Sequence, residues 1–351
     1  LLIAPGELRH NTEKFADFGL QGKIPSVDGK AVMKRVKDER DRFVGFVNED
    51  IDSFDEKHRI QAYASFVDDH TLSLSTGGTL TADKIIIATG SRPNIPGFFE
   101  QAKDLLITND DVFYWDDLPK SIAVFGAGVI GLELGQALHR LGVHTHLFGV
   151  GDAVGPLSDP EVIATSLEIF KDEFPFHSNG QVKSIERTDK GVQITFKPTP
   201  DSEEVTETFD YLLAATGRKT NIDNIGIENT SLELDGRGVP IYNLMSMQCG
   251  DSHIFIAGDV NGDIPLLHEA ADEGRLAGEN ASTFPQVFKK ARKTSLGVVF
   301  SDPQIATVGM SFRALTEKLG CHFASGSVSF TGQGRSRVML VNKGLLKVYG
   351  D

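Results

Sequence analysis

The stretch that most constrains this chain is residues 121–150, SIAVFGAGVIGLELGQALHRLGVHTHLFGV. An apolar run, Ser121–Phe125, meets Gly126-Ala127-Gly128-Val129-Ile130-Gly131; helical periodicity follows, and then a second apolar run, Val143–Phe148. That order predicts strand, tight turn, helix and parallel strand. Each glycine has a separate role. Gly126 permits the turn, Gly128 lets backbone approach a pyrophosphate, and Gly131 allows helix to pack closely on strand. Amides at the helix start would then face phosphate groups, with the positive end of the helix dipole behind them. A GxGxxG is weak by itself; its place between a strand and a helix makes it a dinucleotide-binding pattern.

The end of the second strand normally carries an acid for ribose hydroxyls, or an arginine for a 2′-phosphate. Gly149 supplies neither and Asp152 comes late, so NAD and NADP both remain open. His144 and His146 alternate on this strand and share a face. A metal reading needs further ligands, and the sequence identifies none; they are read as strand histidines, with no metal site expected.

Around this unit the chain reads as α/β up to about residue 290 and as α+β-like after it. Residues 27–59 have apolar positions at spacings of three and four, predicting a long amphipathic helix. Short strands are expected around Ile60–Val67 and Thr71–Leu74, with a buried one over Ala82–Ala88. A helix over Pro160–Phe170, strands at 181–187 and 191–197, and buried strands at Tyr211–Ala215 and His253–Ala257 come next. Leu266–Ser282 reads as a helix, and Gly297–Phe300, Ile305–Val308, Ser327–Phe330 and Leu345–Val348 as strands. The ending Ala88-Thr89-Gly90 recurs as Ala215-Thr216-Gly217, which points to two related nucleotide-binding units. Asp259, at the carboxyl end of a predicted strand, is placed to accept hydrogen bonds from a ribose or polyol, or else to hold a turn.

A net charge of −14 disfavours nucleic acid and anionic membranes as partners. No apolar run is long enough to span a bilayer. The two cysteines, Cys249 and Cys321, form neither a disulfide framework nor a zinc pattern, so a cytoplasmic protein is expected. No Ser-His-Asp, CxxC or HExxH arrangement is seen, which weakens hydrolase and metalloenzyme readings.

Taken in order, ATGS, GAGVIGLE, AATGR, IFIAGD, PLLHEAADEG and VVFSDPQIATVG resemble the flavin-dependent pyridine nucleotide-disulfide oxidoreductases, with the dihydrolipoamide dehydrogenases looking nearest. The resemblance implies a flavoprotein with two Rossmann-like dinucleotide-binding domains, for FAD and for NAD(P), plus part of an α+β interface (dimerisation) domain. It divides the chain into a first FAD segment at 1–94, an inserted NAD(P) domain at 95–225, a central FAD-side segment at 226–293 and an interface domain at 294–351. The implied reaction passes electrons between NAD (or NADP) and a dithiol/disulfide such as lipoamide, through FAD, in a homodimer.

Residue by residue, the resemblance places Gly126, Gly128, Gly131, Val182 and Gly217 at NAD(P), and Ala64, Asp259 and Leu267 at FAD. Glu133 resembles the family glutamate that pairs with a lysine beside the flavin. The family's first FAD turn, its CxxxxC and its late His-Glu pair have no counterpart in these residues, so the chain is expected to be truncated at both ends and inactive alone. Rival readings are a related NAD(P)H oxidase or ferredoxin reductase without a redox disulfide, and a non-catalytic nucleotide-binding or dimerisation fragment.

Overall fold

A computed structural model describes residues 1–350. The chain forms two compact units. One comprises Leu1–Val47, Pro93–Gly217 and the segment from Ser295 on; the other comprises Asn48–Arg92 and Arg218–Thr294.

The first unit is built on a five-stranded parallel sheet in the order Leu106–Ile107, Tyr211–Ala214, Ser121–Phe125, His144–Phe148, Phe176–His177. Period-two alternation sends Ile122, Val124 and Leu147 to one face and Ala123, Phe125 and Phe148 to the other. The first face packs on the helices Val129–Arg140 and Pro160–Glu173, through Leu132, Leu138, Leu167 and Phe170. Asp159 caps the second helix, its side chain accepting from the Glu161 and Val162 amides at 2.8 and 3.2 Å, with Pro160 behind it. The other face is covered by an antiparallel meander, Gln181–Thr188, Gly191–Lys197 and Val205–Phe209, through Ile185, Ile194, Phe196 and Phe209.

Residues 1–47 also belong to this unit. The helix Ile3–Glu13 lies against Val129–Arg140 so closely that a Cβ on Gly6 would sit 3.1 Å from the Ala137 carbonyl oxygen. The amphipathic helix expected at 27–59 is observed over Gly29–Asp52 and buries Met33 and Val36. It stops short because Asp55 caps a separate turn at Glu56–His58, accepting from the Lys57 amide at 3.1 Å. Its later face, with Phe43, Phe46, Val47 and Ile51, is exposed. Towards the C-terminus, Leu296–Val299 pairs with Ile305–Val308, and Ala324–Ser329 pairs with Leu345–Gly350, both antiparallel.

The second unit holds a parallel pair, Ile85–Ile87 with Ile254–Ile256, and a three-stranded antiparallel sheet, Ala64–Phe66, Thr71–Leu74 and Thr79–Thr81. Its core gathers Phe66, Ile85, Ile87, Ile222, Val239, Cys249 and Ile254. The helix Leu267–Thr283 follows the parallel strand Ile254–Ile256.

Candidate functional site

The nucleotide turn follows from backbone requirements. Gly126 has φ +112°, where side chains are strained, and a Cβ there would lie 2.2 Å from the Ala215 carbonyl oxygen. A Cβ on Gly131 would lie 1.8 Å from the Gly126 oxygen, so turn and helix touch at that point. Gly128 differs: an added Cβ would meet nothing within 4 Å, so it faces open space. Gly128 is also the N-cap, and no side chain caps the helix it starts. Its first amides are therefore free to donate outward. This cradle, open above Gly128 and closed behind Gly126 and Gly131, fits a dinucleotide pyrophosphate.

The absent acid has a steric counterpart. A Cβ on Gly149 would lie 3.2 Å from both the Ala127 Cβ and the Ser178 oxygen, and 3.3 Å from the Phe176 ring. A side chain there would press on its neighbours, which would have to give by a few tenths of an ångström. Asp152 stands nearby with φ +57° and accepts a hydrogen bond from Ser178 Oγ. At the neighbouring strand end, Gly217 has φ +95° and open space at its Cβ position, and its oxygen accepts from the Asn94 amide at 2.9 Å. Val182 lies on the first strand of the meander, packed against its core.

Glu133 shares one row of the nucleotide-turn helix with the buried Gln136 and Arg140. All three hold the segment at 300–302. Glu133 Oε1 accepts from the Phe300 amide at 2.9 Å; Gln136 exchanges two 2.8 Å bonds with the Asp302 backbone; and Arg140 Nη2 reaches Asp302 Oδ2 at 3.0 Å. Arg140 also forms a bidentate pair with Glu173 at 2.5 and 3.0 Å. Glu133 is half-buried and lines a cavity of about 290 Å³ with Ile3, Glu7, Phe300 and Gln304.

In the second unit, Asp259 Oδ2 accepts from Ser91 Oγ at 2.6 Å, and Arg218 Nε donates to the same Ser91 oxygen at 2.7 Å. This leaves Oδ1 of Asp259 without a protein donor among the described residues. Gly258 (φ +77°) makes the turn before it. Its amide and Asn261 Nδ2 both donate to Glu273 Oε2 at 2.7 Å, and Arg292 pairs with Glu273 at 2.8 Å and Glu269 at 2.5 Å. Sequence reasoning missed this buried anchor, because Glu273 and Arg292 carry no motif. Leu267 opens its helix almost fully exposed, with no side-chain cap at that end, so its amide is free to reach a ligand. Ala64 is exposed at the start of a strand. Asp259 Oδ1 and this helix start offer an acceptor and free amides within one unit, and the chain's GxGxxG lies in the other unit.

The two cysteines lie in different units. Burial pushes the Cys249 thiol up to about 12, and Cys321 is exposed. One thiol per chain should therefore react with a thiol reagent in the native state and two after denaturation; two rapid native reactions would contradict the burial of Cys249.

The sheet order and glycine turn define a dinucleotide-binding α/β protein. The chain belongs to the pyridine nucleotide-disulphide oxidoreductase family, whose model matches residues 19–274; this family uses FAD and NAD(P). It is 28% identical to a dihydrolipoyl dehydrogenase of Bacillus subtilis over all of this chain and 76% of that protein. It is 30% identical to a soluble pyridine nucleotide transhydrogenase of Photorhabdus laumondii over 81% of this chain and 61% of that protein. Among solved structures, the HOCl-induced flavoprotein disulfide reductase RclA of Escherichia coli superposes with TM-score 0.76 at 20% identity, covering 100% of this chain and 77% of that one. LpdA of Mycobacterium tuberculosis gives 0.78 at 22% identity, covering 99% and 75%. The mixed α/β fold is that of the flavoprotein disulfide reductases. Among the described residues, no helix is long and apolar enough to cross a membrane.

Proposed function

We propose that the chain is the nucleotide-handling part of an FAD-dependent NAD(P) oxidoreductase acting on a dithiol/disulfide, of the dihydrolipoamide dehydrogenase kind, working as a cytoplasmic homodimer. The observation that carries this reading is the cradle of Gly126, Gly128 and Gly131, shaped so that only Gly128 faces open space. On this reading the segments 1–94 and 226–293 serve FAD, 95–225 serves NAD(P), and 294–351 serves the subunit interface.

FAD, when bound, supplies the hydride and electron chemistry. The protein's own residues bind and orient. Helix amides after Gly128 would hold the NAD(P) pyrophosphate, and Gly217, with open space at its Cβ position, leaves room on the nicotinamide side. Asp259 Oδ1 would accept from a ribityl hydroxyl while Ser91 fixes the other carboxylate oxygen. The Leu267 amide would donate to the flavin ring, Ala64 would contact the adenine through its backbone, and Val182 would border the NAD(P) adenine. Glu133 would hold a cation beside the flavin in exchange for its bond to the Phe300 amide.

Calorimetric titration with NADH and with NADPH tests the reading: one nucleotide per chain is expected, and binding of neither would remove the nucleotide function. Lipoamide reduction by these 351 residues alone is not expected, since Cys249 is buried and lies in a different unit from Cys321. The likeness to a soluble pyridine nucleotide transhydrogenase supports a second reading, hydride exchange between two nicotinamide nucleotides. Adding FAD and following NADPH oxidation by an NAD analogue separates the two.

A further inference from the structure

His144 and His146 share the face of their strand that the meander covers, and the structure brings two more polar side chains to them. Glu207 comes from the strand Val205–Phe209, and His177 from the strand beside Phe148. Glu207 Oε1 lies 2.6 Å from His144 Nε2, and its Oε2 lies 3.5 Å from His146 Nε2. All three potential ligand atoms are within 4.8 Å of one another. His146 is 9% exposed, with the rings of Phe209 and Phe196 at 5.3 and 6.0 Å; His144 opens to solvent.

We propose that His144, His146 and Glu207 form a binding site for one divalent transition-metal ion of the zinc type, with water from the open side completing the coordination. Two neutral imidazoles and one carboxylate are a recurrent three-ligand set for zinc, which is four-coordinate at about 2.0–2.1 Å from each ligand. Tetrahedral ligands at that distance stand about 3.3 Å apart. The present separations bracket that value, and the exposed His144 is free to withdraw from Glu207 as an ion enters.

His177 supplies the outer support such sites require. Its Nε2 lies 3.2 Å from His146 Nδ1. When His146 donates its Nδ1–H there, the Nε2 lone pair is left on the side of Glu207, which is the tautomer a ligand needs. Without an ion, that tautomer sets a lone pair against a carboxylate oxygen at 3.5 Å, a contact a cation would turn from repulsive to attractive.

The test uses the untagged chain, stripped with a chelator and titrated with zinc chloride against a fluorescent zinc indicator. One equivalent is expected, with a Kd of about 1 μM or tighter. Glu207→Gln and His146→Gln should each weaken binding about 100-fold, and His177→Phe about 10-fold, as loss of an outer-shell partner does. His322→Gln, beside exposed Cys321, should leave the affinity unchanged. Should His146→Gln fail to fold, the partly exposed, nearly isosteric Glu207→Gln still decides the matter. A wild-type chain that takes up no zinc overturns the proposal and leaves His144–Glu207 as a strand ion pair. So does zinc uptake that Glu207→Gln leaves unchanged, or that His322→Gln abolishes.

Discussion

Gly131→Ala should lose both nucleotide binding and stability, whereas Gly128→Ala should lose binding alone. The added methyl at 131 would stand 1.8 Å from the Gly126 oxygen, and both partners are backbone, so turn and helix must move apart. Forcing extra volume into packed structure destabilises by about 1–3 kcal/mol. The amides at the helix start would swing with the turn, so NADH and NADPH affinity should fall well beyond tenfold, more than about 1.4 kcal/mol. At 128 a methyl meets no protein atom within 4 Å, and the residue's φ of −76° is one that alanine adopts freely. Its fold should survive with an unchanged melting temperature. The methyl would nonetheless occupy the space where a pyrophosphate must approach. Calorimetry and thermal melting on both variants separate the effects. A Gly128→Ala chain that binds both nucleotides as wild type does would sink the cradle reading.

Glu273→Ala should cause the largest stability loss in the second unit. Glu273 is 1% exposed, and it is the acceptor for the Gly258 amide and Asn261 Nδ2 as well as the ion-pair partner of Arg292. Arg292 keeps its pair with Glu269, so the loss falls mainly on the buried donors, at about 1–3 kcal/mol for each one left unsatisfied. Two such donors, at the Gly258 turn, lose their acceptor. Glu273→Gln, which retains an acceptor oxygen, should lose less. Because the turn carries Asp259, any FAD uptake should weaken in parallel with stability. Denaturant unfolding of the two variants reads the difference; equal stability for Glu273→Ala and wild type would mean the network holds nothing.

What the sequence showed, and what it did not, follows from how local each signal was. The nucleotide turn was legible because each of its glycines answers a requirement within a few residues. Five of the parallel strands were legible as short apolar runs ending in or near glycine; the two-residue strands Leu106–Ile107 and Phe176–His177 were not read, being too short to show a pattern. The helix Ile3–Glu13 was not read. Pro5 and Gly6 look like breakers, but proline is tolerated in a first turn, where amides have no helical partner. Gly6 is set by its close approach to Ala137, a contact 131 residues away in sequence. The strand Val205–Phe209 was also missed, since VTETF has little apolar content and owes its form to pairing with Gly191–Lys197. Glu207, the third ligand atom beside two histidines that the sequence did mark, was hidden for that reason. Gly149 shows the reverse case: the missing acid was visible at once, and the tight packing around that position only in three dimensions.

The parallel pair Ile85–Ile87 and Ile254–Ile256 is three residues long on each side, and no further strand pairs with Ile85–Ile87 among the described residues. One backbone edge of Ile85–Ile87 thus has no strand partner, while Ser121–Phe125 and His144–Phe148 are paired with strands on both sides. Local opening therefore needs less free energy in this pair than in Ser121–Phe125 or His144–Phe148. Deuterium should enter Ile85–Ile87 well before it reaches those central strands, so the molecule breathes unevenly, with the Asp259 turn at the end of its faster-exchanging part.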